Sequence, residues 1–197
     1  MKIVIQEESQ SDIQSIEDVT IEAFASAEHT SHTEQFIVRS LRNSNMLTVS
    51  LVAKCEDTGK IVGHIAASPI TINNNNNNNN NDTDVNQSTT ITTTTTKWYG
   101  LAPLSVLPAY QNKGIGTLLV DRLLRSLKDI GADGCVVLGS PKYYGRFGFK
   151  ADSTKLVLPN VPPEYFQLLQ FNHDSNNSRG CIPIGIVSFH SSFDAVN

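Results

Sequence analysis

Residues 108–127 read PAYQNKGIGTLLVDRLLRSL, and this stretch decides how the rest of the chain is read. Its second half is an amphipathic helix. Ile115, Leu118, Leu119, Leu123, Leu124, Leu127 and, just beyond, Ile130 form one apolar stripe, with Asp121, Arg122, Arg125 and Lys128 outside it. Gly131 supplies a C-terminal stop, so the helix is expected over residues 115–130. Gly114 and Gly116 stand at its mouth, although glycine is a poor helix former. Free N–H groups and the positive dipole end at a helix N-terminus favour an anion, and glycines let it approach the backbone. Taken alone, such a pair also suits a tight turn.

Three phosphate-binding patterns compete for this stretch. A P-loop needs GxxxxGK[ST], which the chain lacks. A dinucleotide fingerprint needs a third glycine where Leu119 stands, and it belongs to the first strand–helix turn rather than past mid-chain. The pattern that remains is Q-x-x-G-x-G, carried by Gln111, Asn112, Lys113, Gly114, Ile115 and Gly116. Consecutive N–H groups from Asn112 to Thr117 suit a pyrophosphate, with the Thr117 hydroxyl beside them and Lys113 at the solvent edge.

Working outward, a strand is expected over residues 97–106, ending in LAPLSV before the motif. Upstream of that, strands are expected at 2–6, 47–54 and 61–72, with a turn at 56–60, and helices at 12–24 and 33–42. Downstream, CVVL at 135–138 is an apolar central strand. Ser140-Pro141 reads as an N-cap and first residue of a short helix holding Tyr143 and Tyr144 and ending near Gly148. A further short helix is expected at 164–169 and a last strand at 182–190. The order gives a mixed α/β fold with three antiparallel strands before the long helix.

Residues 73–96 read NNNNNNNNNDTDVNQSTTITTTTT, a polar tract with almost nothing to bury. It reads as a disordered insertion at a hairpin tip within one domain spanning residues 1–197. A net charge of −4 argues against an electrostatic grip on nucleic acid, and no apolar run is long enough to span a bilayer. The start, MKIVIQEESQ, is not a signal peptide, so a cytoplasmic protein is expected. Cys55, Cys135 and Cys181 lack metal or disulfide spacing, and His29-x-x-His32 has no third ligand nearby, so no metal is expected.

With GSPKYYGRFGF at 139–149 following the glycine motif, the sequence resembles the GNAT superfamily of acyl-CoA-dependent N-acetyltransferases. The likeness is closest to bacterial-type predicted acetyltransferases with a G-x-P-x-Y-Y-x-R-F-G-F segment. It implies a central, mostly antiparallel sheet flanked by helices, with a splayed strand pair that holds acetyl-CoA. Leu104, Ser105 and Val106 would pair with pantetheine, and the loop from Gln111 to Thr117 would hold the pyrophosphate. Ser140 replaces an asparagine that contacts the cofactor in many members. Tyr144, four residues before Gly148, matches the family's general acid, although two adjacent tyrosines alone read as core or rim aromatics.

The implied reaction is acetyl transfer to a primary amine, by direct transfer in a ternary complex. The acceptor is an amine-bearing small molecule or protein, and the enzyme a monomer or homodimer. The strand before Gln111 lacks the carboxylate that many members use as base, which leaves His64 and Glu34 as the candidates; a strand histidine is otherwise structural, and Ser31-x-x-Glu34 is otherwise a capping box. The alternative is a non-catalytic acyl-CoA sensor or scaffold domain.

Overall fold

The computed structural model describes residues 1–27, 30, 32–73, 97–171 and 182–196. The elements are β1 (Ile3–Glu7), a 3-10 turn (Gln10–Asp12), α1 (Ile13–Phe24), α2 (Glu34–Asn43), β2 (Val49–Cys55), β3 (Ile61–Pro69) and β4 (Thr71–Asn73). There follow β5 (Trp98–Val106), α3 (Ile115–Asp129), β6 (Gly134–Leu138), α4 (Pro141–Tyr144), β7 (Leu156–Val157), β8 (Phe166–Gln170) and β9 (Gly185–Ser188).

A six-stranded sheet has the order β1-β2-β3-β5-β6-β8, with only β5 and β6 parallel. A smaller sheet has the order β4-β9-β7. Successive strand residues turn to opposite faces, and β3 shows what covers each. A Cβ at Gly63 would touch Leu119 of α3. The next residue, His64, lies opposite Ser105, whose hydroxyl contacts Thr20 of α1. So α1 covers one face of the sheet and α3 the other. With both faces covered, β3 is buried from Ile61 to Ser68, which is why it reads as a nearly continuous apolar run.

The main core joins α1, α3 and the sheet through Ile16, Leu51, Ile65, Leu119, Leu123 and Leu127. A second cluster, including Trp98, Val136, Phe166 and Leu168, closes the β6–β8 end. Truncating a fully buried leucine such as Leu123 to alanine costs about 2–5 kcal/mol at such sites.

Several expectations are corrected. The strand expected over 61–72 breaks at Pro69. The Ile70 N–H bonds Trp98, and the chain then leaves the β3–β5 hairpin to pair with β9. Asn73 therefore belongs to β4; residues 74–96 and the remainder of the polar tract's reading lie outside the described residues. Phe166–Gln170 is a strand, not a helix. Tyr165, Leu168 and Leu169 imitate helical spacing, but pairing with β6 overrides it. In α3, Leu118 and the following Ile130 are exposed at 47% each, while Val120 is buried, so the stripe runs through residues 115, 119, 120, 123, 124 and 127. The last strand is only Gly185–Ser188. Glu34 follows the N-cap Thr33 directly, so it is not placed to close a capping box; Ser31 lies outside the described residues, as do Cys181 and His29.

Candidate acyl-transfer site

The site begins with a break in strand pairing. β5 and β6 run side by side from Trp98–Gly134 to Leu101–Val137. Beyond that point β5 keeps only its β3 neighbour, while β6 continues against β8. The cause is local. Between the Ile65–Leu104 and Ala67–Leu101 pairs, Ala102 and Pro103 oppose the single residue Ala66. Such a bulge bends a strand, and Pro103 has no N–H to offer a neighbour. The Ala102–Pro103 peptide is cis.

The free edge of β5 has a definite polarity. Leu107 donates its N–H to the Val62 carbonyl at 2.9 Å. In an antiparallel ladder, alternate residues turn their polar groups to opposite edges. Ser105 and Leu107 therefore face β3, and Leu104 and Val106 turn their N–H and C=O toward the gap left by β6. Ser105 itself is fully buried. The Gln111 side chain donates to the Val106 carbonyl at 3.0 Å, so the N–H groups of Val106 and Leu104 are the donors on that side.

The glycine loop then delivers α3. A 3-10 turn at Pro108–Tyr110 leads to Asn112, with φ 58°, and Gly114, with φ 80°. Both are left-handed, which Asn and Gly tolerate best. Lys113 donates to the Ala109 carbonyl at 2.8 Å and lies over the Tyr110 ring. Gly114 is the N-cap, and the Leu118 N–H makes the bond to its carbonyl. The N–H groups of Ile115, Gly116 and Thr117 thus lack intrahelical partners. The Ile115 side chain is buried in the core, so only its backbone serves this site.

Gly116 has a reason that the sequence did not reveal. A Cβ there would stand 2.5 Å from the Tyr143 hydroxyl. Burial pushes the Tyr143 phenol pKa up, while the charge of Arg146 and the nearby Thr117 oppose that. The Arg146 guanidinium lies 4.8 Å from the Tyr143 ring centre.

Tyr144, the next residue, is buried at 9% exposure. Its ring meets Tyr143 and Phe149 edge-on, at 5.0 and 5.8 Å. Burial, then the neighbouring Tyr143 and Cys135, push its phenol well up, so it stays a proton donor. Ser140 is the N-cap of α4, and its carbonyl accepts from the N–H groups of Tyr143 and Tyr144.

The two base candidates differ in setting. Glu34 opens α2 and accepts a hydrogen bond from Thr30. His64 is fully buried, and burial lowers its pKa to about 4, partly opposed by Glu8. Its Nε2 lies 2.8 Å from Ser50 Oγ. Ser50 in turn bonds Glu8, which Arg42 grips through two bonds of 2.8 and 2.9 Å. Sequence reasoning missed this chain. Its only trace is a polar Ser50 on the same strand face as Val52.

The chain as a whole is similar to known proteins. The chain is 28% identical over 176 residues to the uncharacterized N-acetyltransferase YhbS of Escherichia coli (strain K12), covering 88% of this chain and 91% of that protein. It superposes on the crystal structure of E. coli YhbS in complex with CoA with a TM-score of 0.76 and 27% identity, over 100% of this chain and 94% of that one. A GNAT family acetyltransferase from Brucella melitensis, solved in complex with acetyl-CoA, is 37% identical with a TM-score of 0.74, over 98% and 99% of the two chains. The family model for the acetyltransferase (GNAT) family matches residues 13–149, from the start of α1 to Phe149, and the chain belongs to that family.

Proposed function

We propose that this protein transfers an acetyl group from acetyl-CoA to a primary amine of a small molecule or protein, directly, within a ternary complex. The observation that carries this reading is the open edge of β5, where Val106 presents an N–H beside a gap that ends at the unpaired N-terminus of α3. These donors fit the two polar parts of the cosubstrate. The N–H groups of Ile115, Gly116 and Thr117 suit its pyrophosphate. The edge groups of Leu104 and Val106 suit the pantetheine amides, as a strand would pair. That acetyl-CoA and CoA are bound by the Brucella and E. coli relatives supports the assignment.

The chemistry needs three things from the chain. An oxyanion forms when the amine attacks the thioester, and the Val106 N–H is the donor beside it. The C–S bond then breaks, and the thiolate, of pKa about 8.5, takes a proton from the Tyr144 phenol. The amine must first lose a proton, and His64 and Glu34 are the candidates to take it.

The test is a panel of small primary amines and peptides with acetyl-CoA, read by thiol release. Amine-dependent release supports the enzyme. Tight coenzyme A binding without release from any amine would favour a sensor or scaffold domain.

A further inference from the structure

Beyond Tyr144 the chain leaves α3 behind. α3 runs on to Asp129, while the chain turns through Gly145–Phe147 and rejoins the sheet where Lys150 pairs with Leu168. The space between them is a groove of about 440 Å³, the size of a small-molecule site. Leu124, Phe147, Leu169 and Phe171, all buried or half-buried, give it an apolar floor. Its exposed rim is basic: Arg125 and Lys128 stand on α3 and Arg146 on the other segment. The groove lies away from the helix mouth. It begins at Asp121, one turn beyond Thr117, and Arg125 stands about 12 Å along the axis from Thr117 at 1.5 Å per residue.

The three cations are not spent on carboxylates. Among the described residues none of them forms an ion pair. Two are held by rings instead: Lys128 Nζ lies 5.4 Å from the centre of Phe171, and the Arg146 guanidinium lies over Tyr143. Such contacts order the charged heads in advance, which lowers the entropy cost of binding an anion. The dipole of α3 gives a reason for Lys128 in its last turn, but none for Arg125 and Arg146 to converge from two elements. Asp121 is the one carboxylate of the lining, so the groove carries about two net positive charges in a chain of net charge −4.

We propose that this groove is an effector site for a phosphomonoester carried on an apolar or planar body, filled alongside coenzyme A and coupled to it through Arg146. A phosphomonoester carries about −1.5 to −2 at pH 7, which matches the groove's charge, and the planar forks of two arginines suit its oxygens. The apolar floor takes the body. The coupling follows from Arg146, which packs on Tyr143, whose hydroxyl stands where a Gly116 Cβ would be. A ligand that draws on Arg146 changes what packs behind the mouth of α3, and such a coupling acts equally in both directions. The binding stands apart from the acetyltransferase reading; only the coupling rests on it.

The test uses phenyl phosphate as the probe, with inorganic phosphate and phenol as its two halves, on the full chain. Calorimetry should show one site for phenyl phosphate, and nitrogen-15 NMR should place its shifts at residues 124–128, 146–147 and 169–171. Each half should bind about tenfold more weakly or worse. Inorganic phosphate binding as well as phenyl phosphate would overturn the ligand class, and shifts elsewhere would overturn the site. Arg125→Ala with Lys128→Ala, two exposed positions on a helix that alanine favours, should keep the fold and weaken the probe by about tenfold or more. Unchanged affinity would overturn the role of the rim. This titration needs no coenzyme A, so a failure of the acetyl-CoA reading is not mistaken for a failure of the groove. With coenzyme A saturating, the probe should still bind, its affinity shifted by about fivefold or more. Displacement by coenzyme A would make the groove part of the cofactor site and overturn the proposal, and an unshifted affinity would overturn the coupling.

Discussion

Gln111 donates its side-chain amide to the main-chain carbonyl of Val106, tying the first residue of the glycine loop to the last residue of β5. The bond occupies the carbonyl on the open edge and sets the path from strand to helix. Gln111→Ala should therefore weaken coenzyme A binding by about fivefold, the scale of one net hydrogen bond, while the exposed site leaves the melting temperature nearly unchanged. Gln111→Glu should do more harm, because a carboxylate cannot donate to a carbonyl. Calorimetry on both variants checks this; affinities equal to wild type would make the tie incidental.

The two loop glycines should respond differently to alanine. Gly114 has open space around a notional Cβ but a left-handed backbone, so Gly114→Ala should cost about 1 kcal/mol through φ alone. Gly116 lies in α3, where alanine is better than glycine by about 1 kcal/mol, yet the Tyr143 hydroxyl blocks the place. Gly116→Ala should thus be destabilising in the wild type and neutral or stabilising beside Tyr143→Phe. A denaturation double-mutant cycle reads the coupling. Additive effects would mean that Tyr143 moves aside freely.

Much of this architecture was legible from residue spacing. The α3 helix, the glycine loop and the Ser140-Pro141 start of α4 fall where the pattern puts them, because each depends on local periodicity or turn chemistry, although the buried stripe of α3 takes Val120 in place of Leu118 and Ile130. The parting of β5 from β6 came from family likeness; its physical cause, two residues opposite one at Ala102–Pro103, is a matter of register that spacing cannot reveal. The β8 strand was misread for a related reason: pairing with β6, not local preference, decides its state. Polar chains are harder still. Glu8, Arg42, Ser50 and His64 come from four separate elements or their edges, and nothing local in the sequence draws them together.

The buried His64 makes a prediction about acid stability. Its pKa is about 4 in the fold against about 6.5 in the free side chain. Between those values the unfolded chain binds a proton that the folded chain refuses, so stability falls as pH falls through this window. The loss should reach on the order of 2 kcal/mol by pH 5. Asp12, Glu8 and Glu17 also titrate low, but their contributions fade below about pH 4.5, so the interval above it isolates His64. Urea unfolding from pH 7 to 4.5 should show a clear slope for the wild type and a flatter one for His64→Gln. Equal slopes would place the proton uptake elsewhere.

Tyr143 and Tyr144 meet edge-on at 5.0 Å but present their hydroxyls to different settings, and their phenylalanine variants should separate two roles. The Tyr143 hydroxyl lies against the Gly116 position at the mouth of α3, so Tyr143→Phe should act on acetyl-CoA affinity and leave kcat within a few-fold. Tyr144 is more deeply buried, and its phenol stays protonated well above neutral pH. As donor to the departing thiolate, its loss should lower kcat by about 10²-fold or more. The Michaelis constant for acetyl-CoA should barely move, because the ring contacts with Phe149 and Tyr143 survive. Steady-state kinetics with an amine found by the panel decides between them, provided chemistry limits turnover. Wild-type kcat in Tyr144→Phe would reduce this residue to a wall of the site, and the thiolate would then have to take its proton from Tyr143 or from water.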